Sequence, residues 1–328
     1  MANFPVSSSI ISSAAIAQFV LKKYGLAINT TCRLLKTGIN HTYRIDSGDE
    51  VFIYRVYSYN WRTKEEITEE LKLLLLLQQN GIAVSYPIAD VSGTFINSID
   101  AAEGLRYAVL FSFDKGNKVL NFDKAIHFEV GKLMAKIHQL TNGKQLKRIT
   151  YTPEVLLKNA LHQIKPFLSD DTEEMQFMIA TQPVLAKQLS DADEHFVRKG
   201  IVHLDIWFDN LNISDNGEVI LFDFDFCGNG WLCLDIAYYI LQLHSTEKDE
   251  TERAEKIAAF YNGYESIEKI HEEEKKLIPT LGVCLYYFYL GVQCNRFDNW
   301  SNTFLNEVYL KRFISVLIKG YYEKMKED

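Results

Sequence analysis

From Thr31 to Ser58 the chain reads TCRLLKTGINHTYRIDSGDEVFIYRVYS, with β-branched and aromatic residues alternating with polar ones around Gly38 and Gly48. Alternation on a two-residue period predicts half-buried strands, and the glycines mark turns, so three short strands are expected. RTKEEITEELKLLLLLQQNG follows; it is rich in helix formers and stops at Asn80-Gly81, a helix ending. VSYPIAD and RYAVLFSF read as further strands, which gives an antiparallel sheet with one helix inserted after the third strand. From about Asp123 the period lengthens. FDKAIHFEVGKLMAKIHQL is helix-periodic, as are long segments after Leu156, Glu250 and Glu272. The expected fold class is therefore α+β. A small antiparallel-sheet lobe over 1–115 and a larger helical lobe over 116–328 join near Phe113–Lys118. Clefts between such lobes are common ligand sites.

One stretch interrupts the helical part. IVHLDIWFDNLNISDNGEVILFDFD, from Ile201 to Asp225, has two apolar runs flanking the polar tetrad SDNG. Asn-Gly is a strong signal for a two-residue hairpin turn. With that turn at Asn216-Gly217, Asn210 stands opposite Asp223, their Cβ atoms roughly 5 Å apart, and Asp225 shares a face with Asp223 while the strand continues. An amide oxygen and one or two carboxylates at one strand end make a hard-oxygen site suited to Mg²⁺, which takes few protein ligands and keeps places for phosphate oxygens. Asp205, on the loop entering the hairpin, is placed to take a proton from a hydroxyl nucleophile. The competing reading is a surface hairpin whose Asp and Asn residues cap and solvate its ends.

His-x-Asp-x-x-x-x-Asn, then a hairpin, then Asp-Phe is the order of catalytic and metal-binding segments in protein kinases. HLDIWFDN and ILFDFDFCGNGWLCLDIA resemble the H-G-D-x-x-x-x-N and I-D-F-D…G…D-L-A segments of the aminoglycoside phosphotransferase and choline kinase family. KTGINHTYRI resembles that family's nucleotide-covering turn, VFIYRVY its third strand, and EELKLLLLLQQNG its paired-glutamate helix. RYAVLFSFDKG resembles its adenine-holding linker and GKLMAKIHQL its first large-lobe helix, so the likeness runs from about Leu34 to Tyr239.

The resemblance implies a two-lobed, protein-kinase-like fold and an ATP- and Mg²⁺-dependent transfer to a small-molecule hydroxyl. It implies that Asp205 is the catalytic base and that Asn210 and Asp223 hold Mg²⁺, with Asp225 as a second metal contact. Arg55 stands where a Lys is usual, as a phosphate contact or else a surface strand arginine; the Arg fork differs in reach and geometry from an ammonium. Glu70 is its expected partner, with Glu66 one turn earlier on the same face, and Gly38 and Asn40 fall in the turn over the nucleotide. His203 is expected to organise backbone, and Asp235 to anchor the catalytic loop from behind. Leu204 replaces the usual glycine, Trp207 borders the substrate pocket or packs in the core, and His138 packs.

Composition narrows the acceptor only a little. A net charge of −8 argues against a nucleic-acid backbone as main partner and suits a cationic one. Aminoglycosides or amino-alcohols would fit an acidic cleft supplied by SDDTEEM or DADEHF, whereas homoserine-like substrates need a cation for their carboxylate. Five cysteines with no C-x-x-C pair suggest buried thiols in a reducing cytosol rather than a disulfide framework or zinc site. The N-terminal MANFPVSSSIISSAAIAQFVLKKYG has no Lys or Arg ahead of its apolar stretch, unlike a secretory signal, and its Lys22-Lys23-Tyr24-Gly25 reads as a helix end. LIPTLGVCLYYFYLGVQC is uncharged over a membrane-span length but carries Pro279 and three tyrosines, so a buried core helix and a cytoplasmic chain are expected. A protein Ser/Thr kinase of the same fold is the alternative, although no long activation segment lies between Asp225 and Asp235. A catalytically silent nucleotide-binding module is a third reading.

Overall fold

The computed structural model describes residues 4–113, 116–119 and 121–327. The chain divides into two compact units, one formed by Met1–Lys115 with Asp298–Trp300, the other by Gly116–Phe297 with Ser301–Asp328. Asp114 and Lys115, which carry the expected junction and the end of the adenine-holding linker, lie outside the described residues.

In the first unit, α1 (Ser13–Tyr24) begins at the Ser12 cap and ends where Gly25 turns left-handed at φ 64°. Strands β1 (Thr31–Thr37), β2 (His41–Ser47) and β3 (Glu50–Val56) form an antiparallel meander. Helix α2 (Lys64–Gln79) opens on a capping box between Thr63 and Glu66 and gives way at Asn80 to a left-handed Gly81. Strand β4 is only Pro87–Ile88, shorter than VSYPIAD suggests. β5 (Ile96–Ala101), which the alternation did not reveal, pairs with β6 (Gly104–Ser112), and β6 pairs with β3. Strict alternation decides the two faces. Tyr43, Ile45, Tyr54, Val56, Ala108 and Leu110 bury against Ile16 and Val20 of α1. Arg55, between Tyr54 and Val56, therefore points to the other face, where α2 supplies its partner.

The second unit is mostly helical. It contains α3 (Lys124–Thr141), α4 (Ala160–Ile164), α5 (Glu173–Ser190), α6 (Cys233–Thr246), α7 (Glu250–Glu265), α8 (Glu272–Asn295), α9 (Glu307–Arg312) and α10 (Gly320–Glu327). Helices α3 and α7 cross at Gly131 and Gly263. A Cβ on Gly131 would overlap the Phe260 carbonyl, and one on Gly263 the Phe128 carbonyl, so only glycine permits this approach. Helix α8 is long and apolar enough to cross a membrane, but 83% of its most apolar window is buried within the fold, the place of a core helix. Two small antiparallel ribbons complete the unit. β7 (Lys199–Val202) pairs with β10 (Gly228–Trp231), and β8 (Leu211–Ile213) with β9 (Val219–Leu221). All five cysteines are free thiols, four of them buried.

Candidate active site

The β8–β9 ribbon differs from its expected register. Leu211 pairs with Leu221, Asn212 with Ile220 and Ile213 with Val219. Asn210 therefore lies opposite Phe222, whose N–H donates to the Asn210 carbonyl at 3.1 Å, and not opposite Asp223. The loop has three residues rather than two. Gly217 N–H donates to the Ser214 carbonyl at 2.9 Å, Gly217 adopts φ 81°, and Ser214 closes the ladder with Glu218. This is a type I turn followed by a left-handed glycine bulge, the other common hairpin that Asn-Gly supports. The Ser214 hydroxyl tips the choice by accepting from the Glu218 N–H at 2.9 Å and donating to Asn216 Oδ1. Nor does Asp225 continue a strand. β9 ends at Leu221, Asp223 turns left-handed at φ 64° and ψ 66°, and Phe224–Phe226 form a 3₁₀ turn. Asn210 and Asp223 are thus offset by one residue at the open end of the ribbon, where the left-handed turn at Asp223 ends the strand.

The loop before the ribbon is held from beneath. Asp235, at 0% exposure in the first turn of α6, accepts from His203 N–H at 2.9 Å and Leu204 N–H at 2.6 Å. Those bonds fix Leu204 at φ 67°, a left-handed conformation costing about 1–2 kcal/mol for a residue with a Cβ. Complete burial of the leucine side chain, about 1.5–3 kcal/mol, offsets that cost and explains how a leucine fills a glycine position. His138 does more than pack. Its Nε2 lies 3.2 Å from Asp235 and its Nδ1 lies 2.7 Å from the Tyr264 hydroxyl. His203 organises backbone as expected: its Nδ1 accepts from Asp205 N–H at 3.1 Å, so its Nε2–H faces the Phe222 carbonyl at 3.2 Å and ties the loop to the ribbon.

Asp205 is clamped at both carboxylate oxygens. Asn210 Nδ2 donates to Oδ2 at 2.7 Å and to the Asp205 carbonyl at 3.0 Å, and the Tyr238 hydroxyl donates to Oδ1 at 2.5 Å. Burial, with the Asp205 charge beside it, pushes the Tyr238 phenol well above its ordinary value, so it stays a donor. Tyr289 packs on Tyr238 at 5.3 Å between ring centres and donates to the Leu204 carbonyl. Neither tyrosine was foreseen, because each lies on a helix whose periodicity reads only as core. Facing two acceptors, Asn210 must present its nitrogen to Asp205, which leaves its Oδ1 for a cation. That oxygen and the Asp223 carboxylate are both hard oxygen donors, the type Mg²⁺ prefers. Among the described residues no group of three or more His, Cys, Asp or Glu side chains could hold a metal. Asp225 is 3% exposed, and its carbonyl accepts from Arg148. Of the three non-glycine residues with positive φ among the described residues, Leu204 and Asp223 both lie here, the clustering expected of a functional site.

In the first unit, Arg55 Nη1 donates to Glu70 Oε1 at 2.9 Å, and the Tyr57 hydroxyl donates to Oε2 at 3.1 Å. Glu66 instead serves the capping box and lies 3.7 Å from Arg62. Asn40 Oδ1 accepts from Ser58 N–H at 3.2 Å, and Gly38 N–H donates to the Asn40 carbonyl at 3.1 Å, so the β1–β2 turn is tied to the end of β3. The acidic runs make local caps and pairs, and Glu194 also lines a cavity with Lys144, Lys199 and Trp231. Thr172 caps α5 with Glu173 and Glu174 in its first turn, Asp170 pairs with Lys165, Asp191 with Lys187, and Glu194 with Lys199.

The phosphotransferase enzyme family matches residues 31–270. An uncharacterized protein of Synechocystis sp. is 28% identical over 94% of this chain and 85% of its own length. The homoserine kinase of Sinorhizobium medicae is 28% identical over 71% of this chain and 68% of its own. Among solved structures, an amicoumacin kinase bound to AMP-PNP, Ca²⁺ and amicoumacin superposes with a TM-score of 0.78 at 20% identity, covering 94% of each chain. That last likeness shows a protein-kinase-like fold.

Proposed function

The chain belongs to the phosphotransferase enzyme family, and from that premise we propose that it transfers the γ-phosphoryl group of ATP to the hydroxyl of a small molecule. The observation that carries the reading is the Asp205 carboxylate, held by Asn210 and Tyr238 at 2.7 and 2.5 Å on a loop anchored by Asp235. A fixed carboxylate can orient an alcohol and accept its proton as the oxygen–phosphorus bond forms and ADP departs. Asn210 and Asp223, with Asp225 beyond them, are the residues that would hold Mg²⁺, which when bound offsets phosphate charge. Arg55, steadied by Glu70, would contact phosphate oxygens, and the turn carrying Gly38 and Asn40 would cover the nucleotide. The names of the relatives, a homoserine kinase and an amicoumacin kinase, support a small hydroxyl-bearing acceptor.

The test is ADP release from ATP across a panel of small alcohols. Asp205→Asn should lower kcat by about 10²–10⁴-fold with nucleotide binding retained by calorimetry. Full turnover by the variant, or wild-type release no faster than the variant's on every alcohol, would remove the proposal.

A further inference from the structure

Beside the catalytic loop, within the second unit, lies a cavity of about 380 Å³. Trp207 and Phe208, just after Asp205, line it with Phe122 and Tyr239, and α3 and α7 add His127, packed edge-on against Phe122 and Tyr239, and Lys256. The glycine crossing described above is what lets those two helices come this close. His127 is 3% exposed; its Nδ1 lies 2.7 Å from the Tyr239 hydroxyl, and its Nε2 is buried without a hydrogen-bond partner. A hydroxyl proton placed on Nδ1 puts the ring proton on Nε2, which is turned away from solvent, with the Phe122 backbone near the ring. Lys256 is 6% exposed and uses two of its three donors, on Asn121 Oδ1 at 2.9 Å and Glu247 Oε2 at 2.6 Å. Glu247, the one acid on the lining, has its other oxygen engaged by the Asp249 N–H at 3.1 Å, while Lys248 stands exposed at the rim. Gln242 and Thr246 also line the cavity and can accept, but the charged group with capacity left over is a donor, Lys256. A polycation finds no open carboxylate here.

Resting on the kinase reading, we propose that this cavity binds the non-reacting end of the acceptor and that this end is a carboxylate, received by the third donor of Lys256 beside the His127 ring, with the aromatic residues packing a short hydrocarbon spacer. Burial, with Lys256 nearby, lowers the His127 pKa to about 4, so the ring is a neutral donor at working pH. The neighbouring groove that shares Asn121, Phe122 and Lys256 also carries Asp123, Lys124 and Glu252, and it leaves the donor character of the inner wall unchanged.

The experiment uses ω-hydroxy acids from glycolate to hydroxyvalerate, each beside its primary amide and the matching amino-alcohol. ADP release should favour one or two acids over their amides and amines by at least about tenfold in kcat/KM, the worth of one hydrogen bond to a charged group. Lys256→Gln should raise KM for the preferred acid by about tenfold or more and leave KM for its amide nearly unchanged. Since that change strands Glu247, the double variant Lys256→Gln/Glu247→Gln repeats the measurement with the pair removed together. Binding is read separately from turnover by the His127 ring resonances of the wild-type chain titrated with each compound. Shifts with acids alone support the pocket even if no ADP appears, in which case the kinase reading is what fails. ADP release with equal use of acid, amide and amine, or no His127 response to any acid, overturns the pocket while leaving the kinase in place.

Discussion

Three carboxylates among the described residues, Glu70, Asp235 and Glu274, are buried to 0% exposure, and the first two serve in opposite ways. Glu70 meets a charge: Arg55 at 2.9 Å, with a phenol on its second oxygen. Asp235 meets backbone: the N–H groups of His203 and Leu204 at 2.9 and 2.6 Å, with a histidine to one side. The first arrangement orients a mobile side chain. Arg55 also lies 5.0 Å from the Phe111 ring centre, so it keeps a favourable neighbour if the carboxylate is lost. The second arrangement sets φ and ψ. Nothing else described at His203 and Leu204 could replace those acceptors without rebuilding the loop. A buried acid that holds a cation tunes a site, whereas one that holds amides makes the site.

The contrast can be broken by substitution. Asp235→Asn presents an NH₂ to one of the two amides and leaves that donor unsatisfied. The expected loss is about 3–5 kcal/mol in urea unfolding, together with loss of turnover. Glu70→Gln keeps an acceptor for Arg55 but removes the charge, and a smaller loss of about 2–3 kcal/mol is expected, with a raised KM for ATP and a less affected kcat. Equal losses in the two variants would erase the distinction. The finest test is at Leu204. Leu204→Ala gives up the buried side chain and keeps the left-handed strain; Leu204→Gly gives up the side chain and relieves the strain. Glycine should therefore be the more stable of the two by about 1 kcal/mol, and the reverse order would show that Asp235 is not imposing the conformation.

Much of this was legible in the residues. Helix α2 announces itself through its run of helix formers and its stop at Asn80-Gly81, and the order His203, Asp205, Asn210, Asp223 is local enough for spacing to suggest it, with Asp235 added by the family resemblance. The hairpin register was not legible, because Asn-Gly serves two- and three-residue loops alike and only the Ser214 hydroxyl separates them. Strand β5 was missed because its pattern is weak until β6 lies beside it. Tyr238, Tyr289 and His127 act through partners 33, 85 and 112 positions away, and periodicity records which face a residue occupies, not what it will touch there.

If Asp205 is the base of the proposed transfer, its double clamp has a consequence for timing. A carboxylate on a loop ordinarily swivels among rotamers and has to settle its angle each time an alcohol arrives. Here Asn210 and Tyr238 stop that motion when the chain first folds, so the torsional freedom is surrendered once rather than at every encounter.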